Sequence, residues 1–359
     1  MIRMSGIGTY IEELLPRVIE AWRGAQFTIL GDPQLLPRII PPSARVDFRR
    51  FDAGMYSARE QVDFMRVIPR ETDLLWVPHF NVPLLYKRAM AVTVHDVFHL
   101  ASADVPRLNR LYASLLFRSV IRNAAVVLCD SAFTAAELRR LVGEPRHLKV
   151  VPLGVGGQWA KLPPRLPSTQ APYLLVVGNV KPHKNLKRLV AAFARAAEAI
   201  PHRLVIVGRR EGLRTLDTEV EALAEGLGAR VEFTGFVSRA VLEQYVANCA
   251  ALVQPSVYEG FGLPPLEAMA AGRPVAVSSA ASLPEVCGPE AEYFDPFDVD
   301  SIADALRRVV QPAAQAADAV ARRMEWARRF DWDACAAATS TELAAAAGIP
   351  PRARAAGVA

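Results

Sequence analysis

A short run of β-branched or aliphatic residues, a turn and then a longer segment of helical period recur along almost the whole chain. FTIL (27–30), LLWVP (74–78), AVTVHD (91–96), AVVLCD (125–130), LKVVPL (148–153), YLLVVG (173–178), RLVIVG (203–208), VEFTG (231–235), ALVQPS (251–256) and PVAVSS (274–279) all read as strands, and most precede a helix-like stretch. Continuous apolar strands alternating with helices argue for parallel sheets with crossover helices, an α/β fold. In such sheets ligands sit beyond the carboxyl ends of the strands, so the residues just after each run are where chemistry is expected.

A chain of 359 residues is long enough for about two domains. The natural break is KLPPRLPSTQAP (161–172), whose four prolines disfavour both helix and central strand. The expected organisation is one α/β domain over 1–165, a second over 166–328, a terminal helix over 329–345 and a tail over 346–359. Segment 315–345, with Trp326 and Trp332, has helical composition throughout.

The composition, 52% hydrophobic and 22% charged, is that of a globular protein, and no uninterrupted apolar run is long enough to span a bilayer. Cys129, Cys249, Cys287 and Cys335 are too dispersed for a zinc cluster or a disulfide framework. The N-terminus MIRMSGIGTYIEELL has no apolar export core, so a cytoplasmic location is expected. A net charge of +5 suits an anionic partner without choosing a nucleotide, a phospholipid surface or nucleic acid. On a helical wheel of segment 107–122, Arg107, Arg110, Arg118 and Arg122 fall within about 120°, and Leu108, Tyr112, Leu115, Leu116 and Val120 fill another arc. Either the leucine arc faces the core and the arginines are merely solvated, or the arginines meet lipid headgroups at an inner membrane face or a phosphorylated acceptor.

The densest signal is SVYEGFGLPPLEAMAAGRP (256–274), lying between two strands. Pro264 and Pro265 suit a first helical turn and Gly272 a position just past the end, so a helix is expected to begin near Leu263. The amides of Gly260, Phe261, Gly262 and Leu263 would then face the crevice as an anion site for a phosphate or diphosphate. Glu259 before the helix and Glu267 one turn inside it can reach opposite ends of one elongated ligand, each binding a vicinal diol. The plainer alternative makes Glu267 a complement to the helix dipole and Glu259 a surface loop residue.

Glu259-x7-Glu267 within YEGFGLPPLEAMAAGRPVAVS, followed by SLPEV (282–286) and YFDPFD (293–298), resembles the donor-site signature of the family-four retaining glycosyltransferases, group 1. VVGNVKPHKNLKRLVAAF (176–193), VEFTGFVS (231–238), VHDVFHL (94–100) and SGIGTY (5–10) extend the resemblance over almost the whole chain, nearest a mannosyltransferase-like branch. It implies the GT-B fold: two Rossmann-like domains, the acceptor side first and the nucleotide-sugar side second, with the C-terminal helix returning to the first. It also implies that Glu259 contacts the transferred sugar, Glu267 the ribose, and Lys184 the diphosphate, whose developing charge preorganised donors must meet.

The chain has Asn179 and His183 where many relatives carry a second cation near Lys184; Arg188, or backbone amides, would have to serve. Gly6 and Gly8 match a loop that lets the backbone approach a phosphate. The buried strand that should precede that loop is represented only by Met1-Ile-Arg-Met4, which leads us to expect a natural start further upstream. His95 matches a histidine on the acceptor side, with Asp96 as the group that orients it and the leaving phosphate as an alternative proton acceptor. The backbone at Val237 matches a position that reads the base edge. No D-x-D motif occupies a donor-site position, so neither a metal nor a cofactor is expected, and a GDP- or UDP-sugar enters as substrate.

The resulting expectation is a retaining hexosyltransferase that uses a glycan or lipid-linked acceptor in surface-polysaccharide synthesis. The alternative is a catalytically impaired nucleotide-binding scaffold in a glycan-assembly complex. A dehydrogenase is disfavoured because no G-x-G-x-x-G with a downstream acid follows the first strand, and a nucleic-acid binder because no recognised module is present.

Overall fold

The structure, a computed structural model, describes residues 5–163, 171–209 and 216–349. It divides into two units, Met1–Gly154 with Trp332–Ala359, and Val155–Asp331. The division thus falls ahead of the proline-rich segment expected to carry it. The return to the first unit falls at Trp332 because Gly154 packs directly on it: a Cβ at Gly154 would lie 2.3 Å from the Trp332 nitrogen. Segment 315–345 is not one helix but two, Ala317–Ala327 and Trp332–Ala346. In the break, the Phe330 carbonyl accepts from the Val155 amide and the Phe330 ring packs edge-on against Phe261.

The second unit contains β7 (Tyr173–Val177), β8 (Arg203–Val207), β9 (Val231–Gly235), β10 (Ala251–Gln254), β11 (Val275–Ser278) and β12 (Glu292–Phe294). They form one parallel sheet in the order β12-β11-β10-β7-β8-β9. Its strand order reverses between β7 and β10, and the carboxyl edge at such a switch point is where open α/β sheets hold their ligands. The strands are aliphatic because helices cover them. Helix Leu186–Ala196 buries Leu186, Leu189, Val190 and Phe193, one face at helical spacing, and helix Val299–Val309 packs beside it with Ile302 and Leu306.

In the first unit β1 (Phe27–Gly31) and β2 (Val46–Arg50) form a parallel pair, and β3 (Leu75–Val77), β4 (Met90–Val94), β5 (Val126–Cys129) and β6 (Leu148–Val150) a parallel sheet in that order. Among the described strands β1 and β3 are each paired on one side only. The strand expected at Met1–Met4 lies outside the described residues. Gly6 and Gly8 are not in a loop: they fall in the first turns of helix Ser5–Ala21, which continues into the apolar face of Tyr10, Ile11, Leu14 and Val18 and is driven by its burial.

All ten strands read from the sequence are present. The two missed, β2 and β12, are VDFRR, with three charged residues in five, and the three-residue EYF, too short to show a period.

Helix Arg107–Asn123 departs from the wheel. Ala113, Leu116, Phe117 and Val120 face inward, whereas Leu108, Leu111 and Leu115 are exposed. Arg110 leaves the basic arc because its guanidinium donates to the carbonyls of Ser102, Ala103 and Val105 and tethers the incoming loop. No helix among the described residues is long and apolar enough to cross a membrane.

Candidate active site

Where β7 ends, the chain passes through Gly178 and Asn179 into a single 3-10 turn, Pro182–Lys184, and then into helix Leu186–Ala196. The ends of β7 and β8 touch so closely that a Cβ at Gly208 would lie 2.0 Å from the Gly178 carbonyl oxygen, so only glycine fits. Asn185 makes the corner, with left-handed φ 58° and ψ 29°, a region that asparagine tolerates better than most residues. Its buried amide donates to the carbonyls of Pro255 at 3.1 Å and Pro296 at 2.7 Å. The Val257 amide donates to the His183 carbonyl at 2.8 Å. These bonds pin the Lys184 turn to the loop leaving β10.

The outcome is a compact cluster across the switch point. Lys184 Nζ donates to Glu259 Oε1 at 2.5 Å, and the same oxygen accepts from Gln254 Nε2 at 2.5 Å and Ser256 Oγ at 2.6 Å. All three of these contacts fall on Oε1, and none of them reaches Oε2. Burial alone would raise the Glu259 pKa, but Lys184 and the Ser256 hydroxyl outweigh it, and the net shift is downward. The carboxylate is therefore ionised at neutral pH. Burial, with Lys184 beside it, lowers His183 to about 4, so that ring is neutral there.

Helix Leu263–Ala270 begins where its prolines place it and is followed by the C-cap Ala271 and by Gly272 at φ 72°. Gly262 precedes it at φ 114°, a conformation that demands glycine, and a Cβ there would also press on the Leu283 side chain at 2.7 Å. The Ser282 hydroxyl clamps the approach by reaching the Glu259 carbonyl at 2.9 Å and the Phe261 carbonyl at 2.7 Å. Phe261 is buried, and Glu267, one turn into the helix, is half-buried.

Arg188 donates to Asn185 Oδ1 at 3.1 Å and lies over the Phe297 ring at 5.4 Å, so its charge is turned to that ring and to Asn185. Asn179 Oδ1 instead accepts from the Arg209 amide at 3.2 Å, joining the ends of β7 and β8. Arg209 stacks at 4.7 Å on Phe236, an exposed ring just past β9, and Val237 follows half-buried.

In the first unit His95 follows β4, and its orienting acid is Asp130, not Asp96. His95 Nδ1 lies 2.6 Å from Asp130 Oδ2, and Nε2 lies 3.0 Å from the Pro78 carbonyl. Asp96 Oδ1 instead accepts from the Phe98 amide at 2.9 Å, closing a local turn ahead of the short helix that follows. Parallel pairing of β4 with β5 sets residue 130 beside residue 95, which adjacency in sequence cannot do. The Pro78 carbonyl can only accept, so Nε2 carries a proton, and the charged form of the ring would donate to the Asp130 carboxylate from Nδ1 as well. Burial lowers the His95 pKa, but Asp130 more than offsets it, and the net shift is upward. Tyr10 seals the ring edge-on at 4.7 Å. Both ring nitrogens are thus engaged within the protein.

Sequence reasoning missed Asn185, Gln254, Ser256, Ser282 and Asp130 as positioning residues. Each is polar and directly follows or ends a strand or loop of the motif region, the only signal that could have marked them. Among the described residues no group of three or more His, Cys, Asp or Glu gathers as a metal site.

Two family models match the chain: Glycosyltransferase Family 4 over residues 4–156, and Glycosyl transferases group 1 over residues 158–324. The O-antigen chain mannosyltransferase B of Escherichia coli is 29% identical, covering 94% of this chain and 95% of its own. The O-antigen chain mannosyltransferase RfbU of Salmonella typhimurium is also 29% identical, over 72% of this chain and 70% of its own. Among solved structures, sucrose-phosphate synthase from Thermosynechococcus elongatus superposes with a TM-score of 0.77 at 23% identity, covering 94% of this chain and 92% of its own. Anabaena HepE in complex with UDP and glucose gives 0.72 at 18%, covering 95% and 96%. The structural likenesses establish the GT-B fold class.

Proposed function

The chain belongs to the group 1 glycosyltransferases, and from that premise we propose that it transfers a hexose, mannose first, from a GDP- or UDP-sugar to a glycan or lipid-linked glycan in surface-polysaccharide synthesis. The observation that carries the reading is the Lys184–Glu259 cluster at the β7/β10 switch point, with the glycine-led helix start beside it. Lys184 meets the diphosphate, Glu259 Oε2 a hydroxyl of the transferred sugar, and Glu267 the ribose diol. The amides of Gly260, Phe261, Gly262 and Leu263 face the anion, and the backbone at Val237 the base. Asn179 holds the β7 and β8 ends in register for the phosphates, while Gly6 and Gly8 bring the start of their helix to the acceptor side.

In this reading the bond from the anomeric carbon to the diphosphate oxygen breaks, the acceptor oxygen bonds on the same face, and the acceptor proton passes to the departing phosphate. No metal or cofactor takes part. His95 contributes a fixed positive charge. The relatives named O-antigen chain mannosyltransferases support a glycan acceptor; a lipid-linked acceptor met at the cytoplasmic face of a membrane is part of the same proposal.

A second reading, a nucleotide-binding scaffold, is favoured by one observation: Lys184 is already paired and Arg188 is turned to Phe297. The two separate on incubation with labelled GDP-mannose and UDP-glucose, mannose-terminated acceptors and EDTA, the product's anomeric configuration being read by NMR. Donor-dependent, EDTA-insensitive transfer with retention is expected. Nucleotide binding without turnover supports the scaffold. No donor consumption, together with unchanged nucleotide affinity in Glu267→Ala, overturns the transferase reading.

A further inference from the structure

Helix Arg107–Asn123 buries one face and presents to solvent a stripe that runs Leu108, Leu111, Leu115, Arg118, Arg122, spaced as helical neighbours down about 21 Å of axis. Leu108 is 80% exposed, Leu111 59% and Leu115 47%. Isolated exposed leucines are ordinary, but three in line are not. They also have apolar company. Gln61, on helix Ala58–Val67, bonds to the Tyr112 hydroxyl of the 107–123 helix and to the backbone of Val82 and Leu84. It thereby gathers three elements that each expose apolar side chains, Val62 and Met65 on the second helix and Leu85 on the loop.

The charge in line with this face has one sign. The 17 residues of the 107–123 helix contain four arginines and no acid. Arg110 is occupied by loop carbonyls, whereas Arg107, Arg118 and Arg122 are exposed and make no hydrogen bond or ion pair with any described residue. Many surface arginines elsewhere are paired with acids, as in Arg59–Asp63, Arg140–Glu137 and Arg322–Asp318, and those that are not, such as Arg38, Arg70 and Arg146, do not border a row of exposed leucines. Unpaired cations bordering an exposed leucine row complement a surface that is apolar beneath and anionic at its face.

We propose that this face docks on an anionic phospholipid surface, with Leu108, Leu111 and Leu115 at the boundary of headgroups and acyl chains and Arg107, Arg118 and Arg122 against lipid phosphates. The inference deepens the reading of a lipid-linked acceptor and rests on it for its purpose.

Flotation of the full chain with phosphatidylcholine vesicles, with or without about 30 mol% phosphatidylglycerol, tests it without donor or acceptor. Binding is expected to need the anionic lipid and to weaken with salt. Arg118→Glu with Arg122→Glu should weaken it at least tenfold, and Leu108→Ser, Leu111→Ser and Leu115→Ser together by a similar factor. All variants should retain the wild-type affinity for GDP or UDP, which controls for folding. Binding that ignores phosphatidylglycerol, or that survives both sets of substitutions, overturns the proposal. So does an absence of vesicle binding, and a self-association that the serine variants abolish would then assign the face to a second copy. Transfer to a soluble acceptor measured without vesicles reports on the enzyme reading alone, so the two can fail separately.

Discussion

Replacing Glu259 with Gln should separate binding from chemistry. Lys184 is held by Glu259 at 2.5 Å, with the two side chains 20% and 15% exposed. A pair at that depth lies between exposed pairs and fully buried ones, so it is worth about 1–2 kcal/mol. An incoming diphosphate has to compete with it. The amide in Glu259→Gln would keep an oxygen for Gln254 and Ser256 but release the lysine, so the affinity for GDP or UDP should rise by about 5- to 30-fold. Turnover should fall by about 100-fold or more, because an oriented charged contact to the sugar is lost. Calorimetric titration with nucleotide and initial rates with nucleotide-sugar measure the two effects on the same sample. Because the folded pKa of Glu259 is lowered, the pair is intact above the ordinary value of 4.5 and is lost only as pH falls through the lower folded value, so an assay at neutral pH sees all of it. A loss of nucleotide affinity like that of Lys184→Ala, or full turnover, would refute the competition argument.

His95 and Asn185 give two further tests. The folded pKa of His95 is raised above 6.5, so the His95–Asp130 contribution is complete below about pH 6.5 and disappears as pH rises through the folded value. Asp130→Asn should cost about 3 kcal/mol on the acid side, and its melting-temperature gap from wild type should narrow as pH rises; a gap constant from pH 6 to 9 contradicts the imidazolium. Asn185→Gly keeps the left-handed corner but loses two buried hydrogen bonds, about 2–3 kcal/mol, and Asn185→Ala should lose about 1 kcal/mol more through backbone strain. Urea unfolding compares them, and equal losses would remove strain from the account.

The chain announces what is periodic or punctuated. Aliphatic strands buried on both faces, and a helix marked by Pro264, Pro265 and Gly272, are local statements and were legible. Partnerships fixed by the sheet are not local. Asp96 is adjacent to His95 in sequence, yet Asp130 is adjacent in space because β5 lies beside β4. Arg188 stands one turn past Lys184, but Asn185 and Phe297 draw it away. The wheel of segment 107–122 grouped Leu108 and Leu115 with Leu116 and Val120; only packing distinguishes the residues that meet a core from those that meet solvent. The Glu259-x7-Glu267 spacing was readable, while the three donors converging on one oxygen of Glu259 depend on strand ends that only the fold brings together.

Lys184 and Glu259 are separated by 75 positions in the chain, and Asn185 and Pro296 by 111. Contacts of such range form late in folding, because a long loop must close before they return any stabilisation. Until β10 settles beside β7, a partly folded second unit holds no lysine against a carboxylate and no crevice for a diphosphate. A bound nucleotide therefore stabilises only the finished unit. It should slow unfolding and leave the folding rate nearly unchanged, acting as a brake on the exit from the native state.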